Sequence, residues 1–319
     1  MRRVNGRSAV RARDPFEGLG VEFAGLDATV HLLRTAIHDT DTSAESRCRP
    51  MEGPVLASVD PVIATREVPY EVDGSAAAAY LARPDGKGPW PAVLLGHDGI
   101  GLEGYQRGRA DRLAERGYAA LAMDYHCGET FFGNPEAMLA RVLPLMADPG
   151  RMQALGRAAL DVLLAEPGID RDRLAALGYG AGGRIVLELA RTGLSFKALA
   201  AIHPALPASR AEDWAAVKGA FLICTGSEDP LCTPDQVLTF TSALQDAGVD
   251  WRVHLYGGAK HAFWSAPTHA DGSPTGGSTH VQATVPGVGY HGAHAARAWR
   301  AVLDLFDETI GLATRSAGS

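Results

Sequence analysis

A chain of 319 residues, 46% of them hydrophobic and 21% charged, can bury a large core in one or two domains. Its formal net charge of −7 argues against nucleic acid or an anionic membrane surface as a partner, and no apolar run approaches the roughly 18 residues that a membrane span requires. The four cysteines are irregularly spaced without a C-x-x-C pair, which favours a reduced, cytoplasmic protein.

The N-terminal segment, residues 1–60, differs from the rest of the chain. It begins with several arginines that no apolar stretch follows, so a secretory signal is not expected. Residues 26–37 have amphipathic spacing that indicates a short helix. We interpret 1–60 as a loosely ordered extension and 61–319 as a single folded domain.

The folded part begins with a predicted hairpin, ATREVPYEV and AAAAYLARP, that turns at Asp73-Gly74. Buried strands and amphipathic helices then alternate, which predicts an α/β fold with a mostly parallel, doubly wound sheet flanked by helices. The predicted strands are 91–96, 118–125, 174–179, 198–203, 219–226 and 251–257. The predicted helices are 105–116, 134–147, 151–165, 185–190, 234–247 and 293–310. The Gly/Pro/Ser-rich segment 265–289 is long enough to be a lid or a disordered edge.

The stretch LAALGYGAGGRIVLELA, residues 174–190, has the outline of strand, sharp turn and helix. In a nucleophile elbow, G-x-S-x-G, small residues let the chain reverse and present one reactive side chain. Here Gly180 stands where that serine or cysteine is expected. The alternative is a nucleotide-binding turn or a merely tight loop. A dinucleotide site or P-loop would also need an acidic residue about 20 positions on or a lysine, and neither is present, so no cofactor is expected.

Two polar residues follow later strands in a suggestive order. Asp229 comes after the predicted strand 219–226, and His261 after 251–257. Ligands of open α/β sheets bind at the carboxyl ends of strands, and the order elbow, Asp, His is that of a hydrolase triad. Taken singly, Asp229 could cap a turn and His261 is one of 11 histidines. Their shared order and placement favour an acid–base pair.

Several separated motifs together resemble the dienelactone hydrolase family of α/β-hydrolases: GHDGIGLEGYQRGRADRLAERGYAALAMDYH, GYGAGG, GSEDPLCTPDQ, LYGGAKHAF and PGVGYH. The resemblance covers about residues 65–312 and implies the α/β-hydrolase fold. It implies Asp229 as orienting acid, His261 as base, and Asp98 in place of a glutamate that hydrogen-bonds the resting cysteine. The backbone N–H groups of Gly99 and Ala181 would form the oxyanion hole.

The chain departs from that pattern in three ways. Gly180 replaces the cysteine of the family's G-Y-C-x-G-G elbow, which excludes an acyl-enzyme at the usual place. Asp98 is one methylene shorter than glutamate. No counterpart is evident for the arginines that hold dienelactone carboxylates, and the aromatic sequence after His261 suits a small, largely apolar substrate better.

Further side chains are candidates for lining the pocket, although helix-start, hydrogen-bonding or core roles are the simpler interpretation of each. These candidates are Tyr105, His126, Cys127, His203, Phe263 and Trp264. The spacing of His280, His291 and His294 is too irregular for a metal site, so no metal is expected.

Three functional hypotheses remain open at this point. The first is a non-covalent enzyme that uses His261 to hydrolyse a small ester, lactone or other carbonyl compound with water, or to cyclise, isomerise or eliminate it. The second is a catalytically silent, ligand-binding pseudoenzyme. The third is a relocated nucleophile, Cys127 or Cys232, whereas Cys224 lies within a strand and belongs to the core.

Overall fold

The computed structural model describes residues 62–266 and 286–311. The predicted extension at 1–60, its helix at 26–37 and most of the segment 265–289 lie outside the described residues. The proposed division of the chain at residue 60 therefore stays a prediction.

The described residues form one eight-stranded sheet with the order β1-β2-β4-β3-β5-β6-β7-β8. The strands are β1 Ile63–Val72, β2 Ser75–Pro84, β3 Trp90–Gly96, β4 Ala119–Met123, β5 Ile169–Tyr179, β6 Ala198–Ile202, β7 Ala220–Gly226 and β8 Trp251–Tyr256. The helices are α1 Gly104–Ala114, α2 Pro135–Met146, α3 Pro149–Ala165, α4 Gly180–Ala190, α5 Pro234–Asp246 and α6 Gly292–Ile310. A short 3₁₀ turn spans Ala211–Trp214. The expected mostly parallel, doubly wound α/β architecture is confirmed.

The N-terminal hairpin is the antiparallel part of the sheet. Strand β1 pairs with β2 from Ile63 opposite Pro84 to Val72 opposite Ser75, and β2 is antiparallel to β4. Asp73 and Gly74 both have positive φ, 50° and 71°, as a two-residue type I′ turn requires. The predicted hairpin is therefore confirmed, and the strands from β3 onward pair in parallel.

The sheet is covered on both faces, which explains why its central strands are apolar throughout. In β3, Val93 and Leu95 point into a cluster with α1 and α6, whereas Leu94 points into a second cluster with α3, α4 and α5. All three side chains are fully buried. Burial on both faces is typical of parallel sheets and leaves no solvent-facing polar positions in such strands.

Two element boundaries differ from the prediction by five residues, and the other predicted boundaries differ by at most two. Strand β5 begins at Ile169, because its polar start pairs with Trp90 and Pro91 of β3 before a register shift. Helix α4 begins directly after β5, at Gly180, because the glycine cluster is already helical although it has no apolar spacing that indicates a helix. None of the helices within 62–266 and 286–311 is both long and apolar enough to cross a membrane.

Candidate active site

The turn between β5 and α4 is packed against the end of β3, and its glycines make this possible. A β-carbon on Gly182 would overlap the backbone of Gly96 and His97, and the Gly182 N–H donates to the His97 carbonyl at 3.0 Å. Gly180, with φ of +49°, has the left-handed backbone that L side chains rarely adopt. The close packing brings Gly180 beside Asp98, since a β-carbon on Gly180 would lie 3.6 Å from that of Asp98.

Asp229 is fixed in the loop after β7 by hydrogen bonds to its carboxylate. The backbone N–H groups of Leu231 and Cys232 donate to Oδ1 at 2.8 and 3.1 Å, and the Thr225 hydroxyl donates to Oδ2 at 3.4 Å. The side chain is fully buried. These donors leave one side of the carboxylate to face His261.

The imidazole of His261 faces that carboxylate. Its Nδ1 lies 3.0 Å from Oδ1 and 2.9 Å from Oδ2 of Asp229, and the His261 backbone bonds to Gly287 and Gly289. Burial by itself would lower the pKa of His261, but the charge and hydrogen bond of Asp229, with a smaller contribution from Asp98, raise it above its ordinary value. A proton on Nδ1 shared with Asp229 leaves Nε2 as the basic nitrogen.

His203 is the second histidine of this cluster. It follows β6 with a positive φ of +40° and is 1% exposed. Its ring contacts that of His261 edge to face, with centroids 4.6 Å apart, and its Cε1 would lie 3.2 Å from a β-carbon on Gly180. Burial, helped by the nearby charges of His261 and Arg109, lowers the pKa of His203 well below its ordinary value. The ring is therefore neutral.

Asp98 also lies beside Gly180, two residues after the end of β3. The Ile100 N–H donates to its Oδ1 at 2.9 Å and the Ser265 hydroxyl donates to its Oδ2 at 3.2 Å. Burial raises the pKa of Asp98, although these hydrogen bonds and the charges of Arg109 and His261 oppose the shift. The site thus combines the carboxyl groups of Asp98 and Asp229 with two imidazoles, and the pKa values of His203 and His261 are shifted in opposite directions.

The two predicted oxyanion-hole residues are the next residues in the chain after Asp98 and Gly180, which lie close together. Gly99 comes after Asp98, and Ala181 comes after Gly180 as the second residue of α4. The first N–H groups of a helix have no intrahelical acceptor, so the Ala181 amide is available to a ligand. Stabilisation of an oxyanion by these two groups stays a prediction.

A buried arginine, Arg109 on α1, lies among aromatic side chains near the site. Its guanidinium carbon lies 4.2, 4.0 and 4.7 Å from the ring centroids of Tyr105, Tyr179 and Trp264. Nη2 donates to the Trp264 carbonyl at 3.3 Å, and the Tyr105 hydroxyl donates to the same oxygen at 2.8 Å. The side chain is 2% exposed. Stacking on aromatic rings stabilises a cation that has been removed from water.

Arg109 also acts on the carboxyl groups at the start of α1. Glu103 caps this helix by accepting the N–H groups of Tyr105 and Gln106 at 2.6 and 3.1 Å. Burial and the neighbouring charge of Asp98 raise the pKa of Glu103 to about 8, while Arg109 opposes the shift. Glu103 is therefore the N-cap residue of this helix.

Three other candidates for pocket residues lie in the surrounding packing. Phe263 is fully buried, with its ring centroid 6.3 Å from that of His203, and Trp264 packs against Tyr179 and Trp299. His126 is buried behind the candidate oxyanion hole, where its Nε2 lies 3.2 Å from the Gly99 carbonyl oxygen.

None of the three cysteines considered above has the features of an activated thiol. Cys127 is half-buried, and burial together with the charge of Asp124 raises its pKa. Burial raises the pKa of both Cys224 and Cys232 to about 12. Low pKa and exposure mark reactive thiols, so the raised pKa values argue against a relocated nucleophile. Within the described ranges, no three His, Cys, Asp or Glu side chains are grouped so that they could hold a metal ion.

Comparison with known proteins identifies one family. The sequence profile of the dienelactone hydrolase family matches residues 77–310. The chain belongs to this family. Its members are hydrolases that act on small molecules, and the sheet order and flanking helices are those of the α/β-hydrolase fold.

Curated relatives and solved structures are similar across most of their length. A Bradyrhizobium protein named for 2-oxo-3-(5-oxofuran-2-ylidene)propanoate lactonase activity is 28% identical, over 63% of this chain and 84% of its own. An Escherichia coli K12 protein named as a carboxymethylenebutenolidase is 25% identical, over 82% of this chain and 93% of its own. The structure of a dienelactone hydrolase-like promiscuous phosphotriesterase from metagenomic libraries has a TM-score of 0.69 and 30% identity, covering 78% of this chain and 99% of its own.

The positive φ and short contacts of His203 are features that sequence reasoning missed. The position was a candidate because it follows a strand, but its proximity to Gly180 depends on a backbone conformation that a histidine rarely adopts. Arg109 was missed because it lies in the polar stretch YQRGRADRLAER, residues 105–116, which contains several arginines that the sequence alone does not distinguish.

Proposed function

We propose that this member of the dienelactone hydrolase family hydrolyses a small ester or lactone by direct attack of water, without an acyl-enzyme. The observation that carries the proposal is the buried hydrogen-bonded pair of Asp229 and His261, 2.9 Å apart. Because Nδ1 of His261 bonds to Asp229, its Nε2 can act as the base, and the neighbouring His203 lies beside Gly180. A residue without a side chain at position 180 leaves no thiol or hydroxyl there to form a covalent adduct.

In the proposed reaction, a water oxygen attacks the carbonyl carbon while one of its protons passes to Nε2 of His261. The carbonyl oxygen becomes negatively charged and accepts the N–H groups of Gly99 and Ala181. The intermediate then collapses, the bond to the leaving oxygen breaks, and that oxygen receives the proton back from His261. The products are a carboxylic acid and an alcohol, which remain one molecule if the substrate is a lactone.

The expected rate enhancement is modest compared with a nucleophilic hydrolase. A positioned general base contributes about 10²–10⁴-fold. Proteases that have lost their triad still retain roughly 10³–10⁴-fold over water from the oxyanion hole and binding. An activated ester or a strained lactone is thus the substrate class that this site can turn over.

The same groups would also serve two other functions. A base and an oxyanion hole can carry out cyclisation, isomerisation or elimination through an enolate, and Gly180 equally suits a pocket that binds a carbonyl compound without reaction. These alternatives are separated by whether a product forms and whether water is incorporated into it.

The test uses purified full-length protein with p-nitrophenyl acetate, dihydrocoumarin and a ylidene furanone lactone, with product followed by chromatography. We expect His261→Ala to lower kcat/KM by about 10²–10⁴-fold. His254→Ala, which removes an exposed histidine of β8, is the matched control and should leave the rate unchanged. Unchanged turnover in His261→Ala would refute the proposal, and tight binding with no product over hours would favour the silent pseudoenzyme.

A further inference from the structure

The imidazole of His203 takes up space that a side chain at position 180 would need. A β-carbon on Gly180 would lie 3.2 Å from Cε1 and 3.5 Å from Nδ1 of His203, and the first distance is tighter than ordinary carbon contacts. A serine or cysteine would extend further still from that carbon. A side chain at position 180 therefore requires the His203 ring to shift by a few tenths of an ångström.

The position of the His203 ring is set by its backbone and by its neighbours. The residue has φ of +40°, its N–H donates to the Cys224 carbonyl at 2.7 Å, and its ring stands at 74° to that of Phe263. Backbone strain of this kind in a non-glycine residue persists only where surrounding contacts maintain it. The contacts direct the Nδ1–Cε1 edge of the ring toward Gly180.

Both ring nitrogens of His203 are buried and make no hydrogen bond to another described residue. A buried polar atom without a partner is costly, and such atoms in folded proteins usually bind water or a ligand. The ring of His261 lies 4.6 Å from that of His203, whose Nδ1–Cε1 edge faces Gly180. A small polar molecule held there would contact both.

We propose that His203 is a second catalytic residue, which contacts the nucleophilic water in the place where the family's elbow side chain would act. The inference rests on the water-mediated hydrolysis proposed above. In the attack step, the water gives its proton to Nε2 of His261, and its oxygen forms the bond to the carbonyl carbon. His203 neither gains nor loses a proton, and it directs the lone pair of the water toward the substrate.

A neutral imidazole is suited to this role because it has one N–H donor and one acceptor nitrogen. Burial and the neighbouring positive charges keep the pKa of His203 low, so the ring does not compete with His261 for the proton. Orientation of an attacking water by fixed groups lowers the entropic part of the barrier. The two histidines thus have different tasks, one as base and the other as an orienting contact.

The first experiment compares His203→Ala and His203→Asn with wild type. Asparagine tolerates the left-handed backbone and its amide supplies both a donor and an acceptor. We expect His203→Ala to lower kcat by about 10- to 100-fold, the loss of one hydrogen bond to a developing charge, with little change in KM. His203→Asn should recover a large part of the loss, which a purely packing role would not predict.

The second experiment measures binding of phenylboronic acid, whose tetrahedral hydroxide adduct resembles a carbonyl after attack by water. Affinity should fall by about tenfold or more in His203→Ala and be largely retained in His203→Asn. If kcat and boronate affinity in His203→Ala both stay within about twofold of wild type, while His261→Ala loses them, the role of His203 is refuted and the proposed function stands. If His261→Ala also changes nothing, the proposed function itself fails.

A third variant tests the steric relation without depending on wild-type turnover. Gly180→Cys is treated with p-nitrophenyl acetate, alone and combined with His203→Ala, and acylation of the new thiol is followed by intact mass. We expect acylation to be at least about tenfold faster in the double variant, because the ring no longer occupies the space of the side chain. Equal rates in both backgrounds would overturn the assignment of that space to His203.

Discussion

Replacing Asp229 with asparagine tests the base assignment with almost no change in shape. The backbone N–H groups of Leu231 and Cys232 both donate to Oδ1, at 2.8 and 3.1 Å. They will select the orientation that puts the asparagine oxygen at this position. The amide nitrogen then takes the place of Oδ2, 2.9 Å from Nδ1 of His261. A donor in that place requires Nδ1 to act as an acceptor, so the proton moves to Nε2.

A proton on Nε2 removes the base from the neutral imidazole. We therefore expect Asp229→Asn to lower kcat by about 10²–10⁴-fold, the usual contribution of a general base, with KM nearly unchanged. Initial rates with p-nitrophenyl acetate and dihydrocoumarin measure this effect. Asp246→Asn, an exposed position at the end of α5, is the matched control.

The same substitution has a pH-dependent effect on stability. Because Asp229 raises the pKa of His261 in the folded state, the pair stabilises the protein fully below the unfolded-state pKa of about 6.5. That stabilisation is lost as pH rises through the folded-state value. Asp229→Asn should thus reduce the free energy of unfolding by about 1.5–3 kcal/mol at acidic pH, and by less at alkaline pH.

Urea denaturation of wild type and variant at about pH 5.5 and about pH 8.5 measures the difference. A variant that keeps its rate within about twofold of wild type would refute the assignment of His261 as base. Equal destabilisation at both pH values would show that the pair is not an ion pair in the folded protein.

Four further substitutions test other parts of the account. Gly182→Ala should destabilise the protein by more than about 3 kcal/mol, because a β-carbon would overlap backbone atoms of β3. Gly108→Ala should stabilise the protein by about 0.5–1 kcal/mol, because a β-carbon at this position of helix α1 meets nothing within 4 Å. Similar urea midpoints for Gly182→Ala and Gly108→Ala would contradict the close packing described at Gly182. The pKa of Glu103 is raised from 4.5 to about 8 in the folded protein, so the free energy of unfolding decreases as pH rises from 4.5 to about 8. Glu103→Gln should make the free energy of unfolding less dependent on pH in this interval. Cys127→Ala should leave turnover within about twofold of wild type, since the thiol has a raised pKa. A larger loss of turnover, together with slower iodoacetamide labelling of wild-type Cys127 when substrate is bound, would support a thiol mechanism.

The order of strands and helices could be predicted because the sheet is buried on both faces. Strands such as AALAM in β4 are apolar at every position, and the helices between them have one apolar stripe. The start of β5 could not be predicted, because its residues IDRDR are polar and pair at the sheet's end. The start of α4 was missed for another reason, since its first turn, GAGG, is mostly glycine, which has low helix propensity.

The contact between Asp229 and His261 could be anticipated because the carboxyl ends of parallel strands meet at one edge of the sheet. The surroundings of the pair could not. The hydrogen bond from Ser265 to Asp98 joins residues 167 positions apart. The aromatic cage of Arg109 gathers rings from separate elements, and the ring position of His203 depends on an uncommon backbone angle. Such contacts arise from tertiary packing, which no local pattern in the sequence encodes.

The central claim is that hydrolysis proceeds through His261 without a covalent intermediate, and intact-mass spectrometry during turnover tests it most directly. Wild type and Gly180→Cys are mixed with p-nitrophenyl acetate, quenched in acid at successive times, and weighed while nitrophenol release is recorded. The account predicts nitrophenol release by wild type at unchanged protein mass, an acetyl adduct in Gly180→Cys, and loss of release in His261→Ala. An acetyl adduct on wild-type protein that forms and decays at the rate of turnover would contradict it.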